Sequence, residues 1–294
     1  MKGKSINLYI HLGFPKTGSS LIQRELFKDL HNINMINIKW EYKKINDDFL
    51  AGTNNNNQFS KFVHSRLKPN KTNILSCEDF SGEFTTNLNS LRVANELRYL
   101  FPDAIIVICL RNHYSYLESV YKHCVRRGFC GSRKTFYQIY NTDKAKGFVF
   151  YPTATILNKL CYAKYIDQLF EMFTDVRIMS FNRLINKDSM ISEIKKAFDV
   201  ELKIDESTPI ITNKGHNDIS VIFQRFLNKF VRSVYNSDGF LNYSYTKYFF
   251  HGSRMITPNI NWEKQSKWKN ILGSDHKYIK KDEDKLFKKF KFKF

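Results

Sequence analysis

The sequence predicts an α/β fold, a central parallel sheet with helices on both faces. Three observations predict it. Apolar runs at 8–12, 72–75, 104–110 and 176–181 alternate with stretches whose apolar residues recur at helical spacing. The run 104–110 is continuously apolar, as a strand covered on both faces requires. The first run passes through a loop bounded by Gly13 and Gly18 into Leu21, Ile22, Leu26, Phe27 and Leu30, the pattern of a strand turning into a helix. With 294 residues and 42% hydrophobic content, a single domain is expected over 1–294, its core over 6–235 and an extension over 236–294.

The formal net charge of +19 calls for an anionic partner without choosing among nucleic acid, an anionic membrane and an acidic small molecule. Cys77, Cys109, Cys124, Cys130 and Cys161 are odd in number, far apart and without a C-x-x-C pair. That pattern argues against a disulfide scaffold or zinc site and fits a reducing compartment. No secretory core or spanning segment appears, so a cytoplasmic location is expected.

The loop Gly13-Phe14-Pro15-Lys16-Thr17-Gly18-Ser19-Ser20 organises the reading. A strand, a glycine-bounded loop and a helix start form an anion site, because backbone N–H groups and the helix dipole converge there. Its glycine spacing matches the common phosphate loop, but the lysine stands before the second glycine, as Lys16, and Ser19 follows that glycine. This run resembles the 5′-phosphosulfate loop of sulfotransferases that use 3′-phosphoadenosine 5′-phosphosulfate (PAPS), and Ile10 to Phe14 ahead of it are similar to the bacterial and carbohydrate-type members. The resemblance implies a three-layer P-loop-type fold.

The Asn-rich passage 32–70 reads as an irregular excursion with short helices, a place for acceptor-binding surface. The strand at 72–75 leads to Glu78, which should face the first loop, since ligands of open α/β sheets sit beyond the strands' carboxyl ends. In the family the general base, Glu or His, lies just past this strand. The competing reading is that Glu78 or Asp79 caps the next helix. A helix over 88–100 is stopped by Pro102, and the strand 104–110 ends at Arg111. Ser119 sits eight residues later on a helix starting near Tyr114. That arginine-to-serine spacing is the one with which the family holds the 3′-phosphate, a task suited to a planar guanidinium. Where the family has R-[DN]-P, this chain has Arg111-Asn112-His113, which makes His113 and His123 rival bases.

The stretch 128–147 is basic and loop-like, a lid or acceptor contact carrying Arg133 and Lys134, with Arg126 and Arg127 beside it. A helix with Tyr162, Tyr165, Ile166, Leu169, Phe170 and Phe173 on one face, the strand 176–181 and a helix marked by Met190 to Phe198 resemble the back half of the family's domain. Asn182-Arg183-Leu184 departs from the family's acidic residue and carries no role. Lys214-Gly215 looks like the late loop that closes over the adenine and 3′-phosphate, ahead of a helix with apolar Ile222, Phe223, Phe226, Phe230 and Val234. The tail 276–294 holds eight lysines against three acids with Phe287, Phe290, Phe292 and Phe294 interleaved, suited to an anionic bilayer surface or to folding back on the domain.

By resemblance, the chain transfers a sulfuryl group from PAPS to a hydroxyl or amine of a carbohydrate or glycolipid, without a metal and without nucleic acid as partner. Lys16, Thr17, Gly18, Ser19 and Ser20 hold the 5′ end of the donor, Arg111, Ser119, Lys214 and Gly215 the 3′ end, and Glu78 takes the acceptor's proton. A P-loop kinase using ATP is the alternative, but it places its lysine after the second glycine, next to a Mg²⁺-binding Ser or Thr. A basic nucleic-acid- or membrane-binding protein would explain the charge but not the ordered phosphate loop.

Overall fold

Five strands, β1 (Leu8–Leu12), β2 (Ile33–Asn37), β3 (Thr72–Cys77), β4 (Ile105–Leu110) and β5 (Val176–Ser180), pair in parallel in the order β2-β3-β1-β4-β5. This is a three-layer P-loop-type α/β fold, its sheet flanked by helices. The structure is a computed structural model that describes residues 7–23, 27, 32–38, 43–52, 56–82, 85, 89–141, 155–201, 218–242 and 264–294. All five residues of β1 are buried, as a central strand with both faces covered must be. The chain falls into two compact units, Met1–Asn112 with Asn158–Thr212 and Lys280–Phe294, and His113–Leu157 with Asn213–Ile279.

In the first unit, side chains alternate across the sheet. Tyr9, Ile74, Val107, Cys109 and Met179 face one way, against Leu21 and Ile22 of the first helical turn and Met190, Ile194, Ala197 and Phe198 further on. The last four belong to a helix at Lys187–Phe198, whose cap is Asn186, accepting from the Asp188 N–H at 3.0 Å. Burying each of these side chains contributes about 1.5–3 kcal/mol. Numbered in chain order, the helices are α1 (Ser19–Leu21), α2 (Lys43–Ala51), α3 (Asn56–Arg66), α4 (Ser90–Leu100), α5 (His113–Arg126), α6 (Arg133–Asn141), α7 (Ile156–Leu160), α8 (Tyr162–Met172), α9 (Phe181–Leu184), α10 (Lys187–Phe198), α11 (Asp218–Asn228), α12 (Lys264–Leu272) and α13 (His276–Phe290).

Three readings of the sequence need correction. The passage 32–70 contains the edge strand β2 as well as α2 and α3. An edge strand pairs on one side only, so its alternation is weak; Asn34 instead donates to Asn73 Oδ1 at 2.8 Å and to the Arg66 carbonyl at 2.7 Å. The loop-like stretch 128–147 contains α6, which buries Phe136 and Tyr137. The helix Asp218–Asn228 ends before Phe230 and Val234, and its large apolar residues face outward.

The second unit is organised around Glu118 on α5. Arg133 gives it two hydrogen bonds, at 2.8 and 2.7 Å, Trp268 Nε1 donates at 2.9 Å, and Lys122 lies 3.4 Å away. Burial works to raise the Glu118 pKa, but Arg133, then Lys122 and Trp268, more than offset it and hold the carboxyl below the ordinary range. Arg133 also binds Asp218 at 2.9 Å, so it serves this buried network and not a lid.

The tail folds back on the first unit. Asp282 accepts from the Ala163 N–H at 3.0 Å, capping α8, whose own cap residue Cys161 supplies no side-chain bond. Phe290 stacks on Phe170 with ring centres 5.4 Å apart, and Lys285 and Lys289 both engage Asp167.

Candidate functional site

Strand order decides where the first loop sits. β1 lies between β3 and β4, so the segment leaving Leu12 is flanked by those leaving Cys77 and Leu110. Leu12 is level with Cys77 on one side and with Ile108 on the other. Glu78 therefore begins at the base of the loop, while Arg111, three residues past Ile108, stands about 10 Å higher along the strand direction.

The contacts follow that offset. At the base, the Gly13 N–H donates to the Cys77 carbonyl at 3.2 Å. A Cβ on Gly13 would lie 2.9 Å from Ser19 Oγ and 3.0 Å from Glu78 Cα, so the close approach of loop and turn requires glycine. Higher up, Arg111 Nη1 donates to the Lys16 carbonyl at 2.8 Å, and its guanidinium lies 4.4 Å from the centre of the Phe181 ring. Leu110 is paired with Ser180, which places Arg111 and Phe181 at the same height just past the ends of adjacent strands.

Within the loop, Lys16 has φ 68° and Gly18 φ 91°, both in the left-handed region. Gly18 is doubly constrained, since a Cβ there would meet Leu184 Cδ2 at 3.0 Å. The Thr17 N–H and hydroxyl both turn inward onto the Phe14 carbonyl, so Thr17 shapes the loop. Ser19 Oγ is buried and has no partner among the described residues. The first turn of a helix also leaves its N–H groups without intrahelical acceptors, here at Ser19 and Ser20. An orphaned hydroxyl, free N–H groups and nearby cationic residues fit an oxyanion.

The structure brings Lys16, Thr17, Gly18, Ser19, Ser20, Glu78 and Arg111 to one end of the sheet. Glu78 opens a 3₁₀ turn, Glu78–Ser81, and is partly buried; its carboxylate has no ion pair or side-chain hydrogen bond among the described residues. Ser119 lies in the second unit, partly buried on α5. Of the rival bases, His113 is fully buried. Lys214 and Gly215 lie outside the described residues. Among the described residues, no group of three or more His, Cys, Asp or Glu is placed to hold a metal ion, and no helix is long and apolar enough to cross a membrane.

Two residues near the loop were not singled out in the sequence. Lys159 on α7 is 2% exposed, lies with its ammonium 4.4 Å from the centre of the Phe14 ring and donates to the Ser81 carbonyl at 2.5 Å. Its sequence context, Leu157-Asn158-Lys159-Leu160, carries no signal of that placement. His11, on β1, is fully buried; its Nδ1 is 2.8 Å from Ser76 Oγ, which also accepts from Gln23 Nε2 at 2.8 Å. Burial lowers the His11 pKa to about 4, so the ring is neutral.

Among solved structures, the fold is similar to that of a sulfotransferase from Alicyclobacillus acidocaldarius, with a TM-score of 0.50 at 15% identity over 76% of this chain and 93% of that one. No protein-family model and no curated protein matches the sequence. At this identity the likeness defines the class of fold, a P-loop-type α/β protein with its candidate anion site at the carboxyl end of the sheet.

Proposed function

We propose that the chain is a PAPS-dependent sulfotransferase. The observation that carries this reading is the join between Lys16 and Arg111: one hydrogen bond ties the displaced lysine of the phosphate loop to the strand-end arginine expected at the other end of the donor. The likeness in fold to a protein described as a sulfotransferase supports it.

PAPS supplies a sulfuryl group on a phosphate leaving group, so the reaction is an in-line displacement at sulfur. The protein's task is to hold charge in place and to move one proton. Lys16 neutralises the negative charge that grows on the bridging oxygen, while the Ser19 and Ser20 N–H groups and hydroxyls, with Gly18, bind the 5′ oxygens. Thr17 keeps the loop in shape from within. Arg111 takes the 3′-phosphate. Glu78, a carboxylate without a structural ion pair among the described residues, accepts the proton of the attacking hydroxyl or amine. The acceptor is a saccharide or a glycolipid.

The test compares 3′,5′-ADP, ATP and an oligonucleotide in thermal-shift measurements, followed by transfer of labelled sulfate from PAPS to the source's own glycans. Selective stabilisation by 3′,5′-ADP is expected. Equal or greater stabilisation by ATP rejects the reading.

A further inference from the structure

The helix α11 is turned inside out. Its buried side carries Ser220, Val221, Gln224 and Asn228, three of the four polar. Asn228 is held there by donating to the Val125 carbonyl at 2.7 Å and the Phe129 carbonyl at 3.0 Å. Gln224 is not satisfied: both its side-chain oxygen and nitrogen are buried without a partner among the described residues. An unpaired buried amide destabilises a fold. The opposite side shows Ile219, and Ile222, Phe223 and Phe226 at 61, 50 and 55% exposure. An amphipathic helix that had only to fold would bury that stripe and expose the glutamine.

The apolar surface continues past the helix. Phe226 meets the Phe230 ring at 5.4 Å, and Phe230 meets Phe240 at 5.8 Å, with Phe240 itself 77% exposed. A contiguous patch of this kind marks an interaction site. Cations flank it: Lys229 and Arg232 are exposed and Arg225 is partly so, against the single exposed acid Asp238 in this stretch. The acid at the start of the helix, Asp218, is already bound by Arg133, Lys122 and Lys267.

This combination selects the occupant. A second copy would bring its own +19 charge against the same basic rim. A bilayer interface offers an apolar depth for the Phe and Ile side chains and anionic phosphates for the cations around them. We infer that the face formed by Ile219, Ile222, Phe223, Phe226 and Phe240 is a peripheral docking surface for an anionic membrane. It is distinct from the lysine-rich tail, two of whose lysines are engaged by Asp167. The inference does not rest on the donor reading, because docking is measured without donor.

The experiment is co-sedimentation of the full chain with vesicles of phosphatidylcholine alone or mixed with phosphatidylglycerol. Binding to the mixed vesicles, weakened by salt, is expected. Phe223→Ser with Phe226→Ser should cut the partition coefficient by more than about tenfold. Lys229→Glu with Arg232→Glu should abolish the preference for phosphatidylglycerol. As a conservative probe that keeps the apolar surface, Phe223→Trp should show indole emission shifted to shorter wavelength on mixing with the same vesicles. The proposal is overturned if the chain stays in the supernatant, if the serine variant binds like the parent, or if the Trp emission does not move. It is also overturned if light scattering shows a dimer that the serine variant dissociates, which would give the face to a second copy.

Discussion

Arg111 Nη1 donates to the backbone carbonyl of Lys16 at 2.8 Å, across 95 residues of sequence. Lys16 needs such restraint, because its φ of 68° lies where a residue with a side chain sits about 1–2 kcal/mol above the right-handed region. Arg111 thus acts on the loop's conformation, and under the proposed function it also binds the donor's 3′-phosphate. Arg111→Ala is expected to lower 3′,5′-ADP affinity by about 10- to 100-fold, the loss of a charge-assisted bond. An analogue without the 3′-phosphate should lose much less. Calorimetric titration of both ligands checks this, and equal losses would remove the 3′-phosphate role.

Lys16→Gly separates the backbone of that residue from its ammonium. Glycine adopts a positive φ without steric cost, so the melting temperature should stay level or rise. Turnover should fall by about 10²–10³ if Lys16 has the proposed role, because the charge assigned to the leaving group is gone. A thermal melt and a steady-state assay on one preparation give both numbers, and a variant with parental turnover would dismiss Lys16 from the chemistry.

Glu78→Gln is nearly isosteric, and the native carboxylate has no ion pair to lose among the described residues. Stability should therefore change by less than about 0.5 kcal/mol, while kcat falls by about 10²–10⁴. Full activity would move the proton transfer to another group, His123 before the fully buried His113.

His11 predicts a pH dependence of stability. Its pKa is lowered by burial from 6.5 to about 4 in the folded chain, so between those values the unfolded chain binds more protons. The stability due to neutral His11 is complete above pH 6.5 and is lost as pH falls toward 4, by roughly 3 kcal/mol in all. In His11→Gln, melting curves from pH 7 to 4 should show a shallower decline than in the parent. An unchanged slope would mean that the ring is protonated when folded.

The loop, four of the five strands of the sheet and the placing of Glu78 and Arg111 at strand ends were legible in the sequence, because each depends on local signals: an apolar run, a glycine, a charge where the run stops. The edge strand β2 was not, since its polar positions are satisfied by Asn73 and the Arg66 carbonyl far along the chain. The outward face of α11 was hidden for a different reason. Apolar periodicity shows that a helix has an apolar side, not where that side points; Asn228, anchored to the Val125 and Phe129 carbonyls, fixes the direction. Lys159 was illegible because its partners, Phe14 and Ser81, lie 145 and 78 residues away.

The Lys159 ammonium donates to the Ser81 carbonyl, and the single Ser81 hydroxyl proton is shared between the Gly13 carbonyl at 3.1 Å and the Glu78 carbonyl at 3.2 Å. One buried cation thereby fastens the turn that carries Glu78 to the loop that carries Lys16, with the Phe14 ring beneath it. Lys159→Met keeps most of the volume and removes the anchor. If Lys159 positions Glu78, kcat should fall by about 10- to 100-fold, since small misplacements of a reacting group are costly, while 3′,5′-ADP affinity should move by less than about threefold. The double variant with Glu78→Gln decides the route: a residue that acts through Glu78 adds little once Glu78 is disabled, whereas two independent residues give additive losses. Additivity, or a loss confined to donor affinity, would make Lys159 a support of the phosphate loop alone.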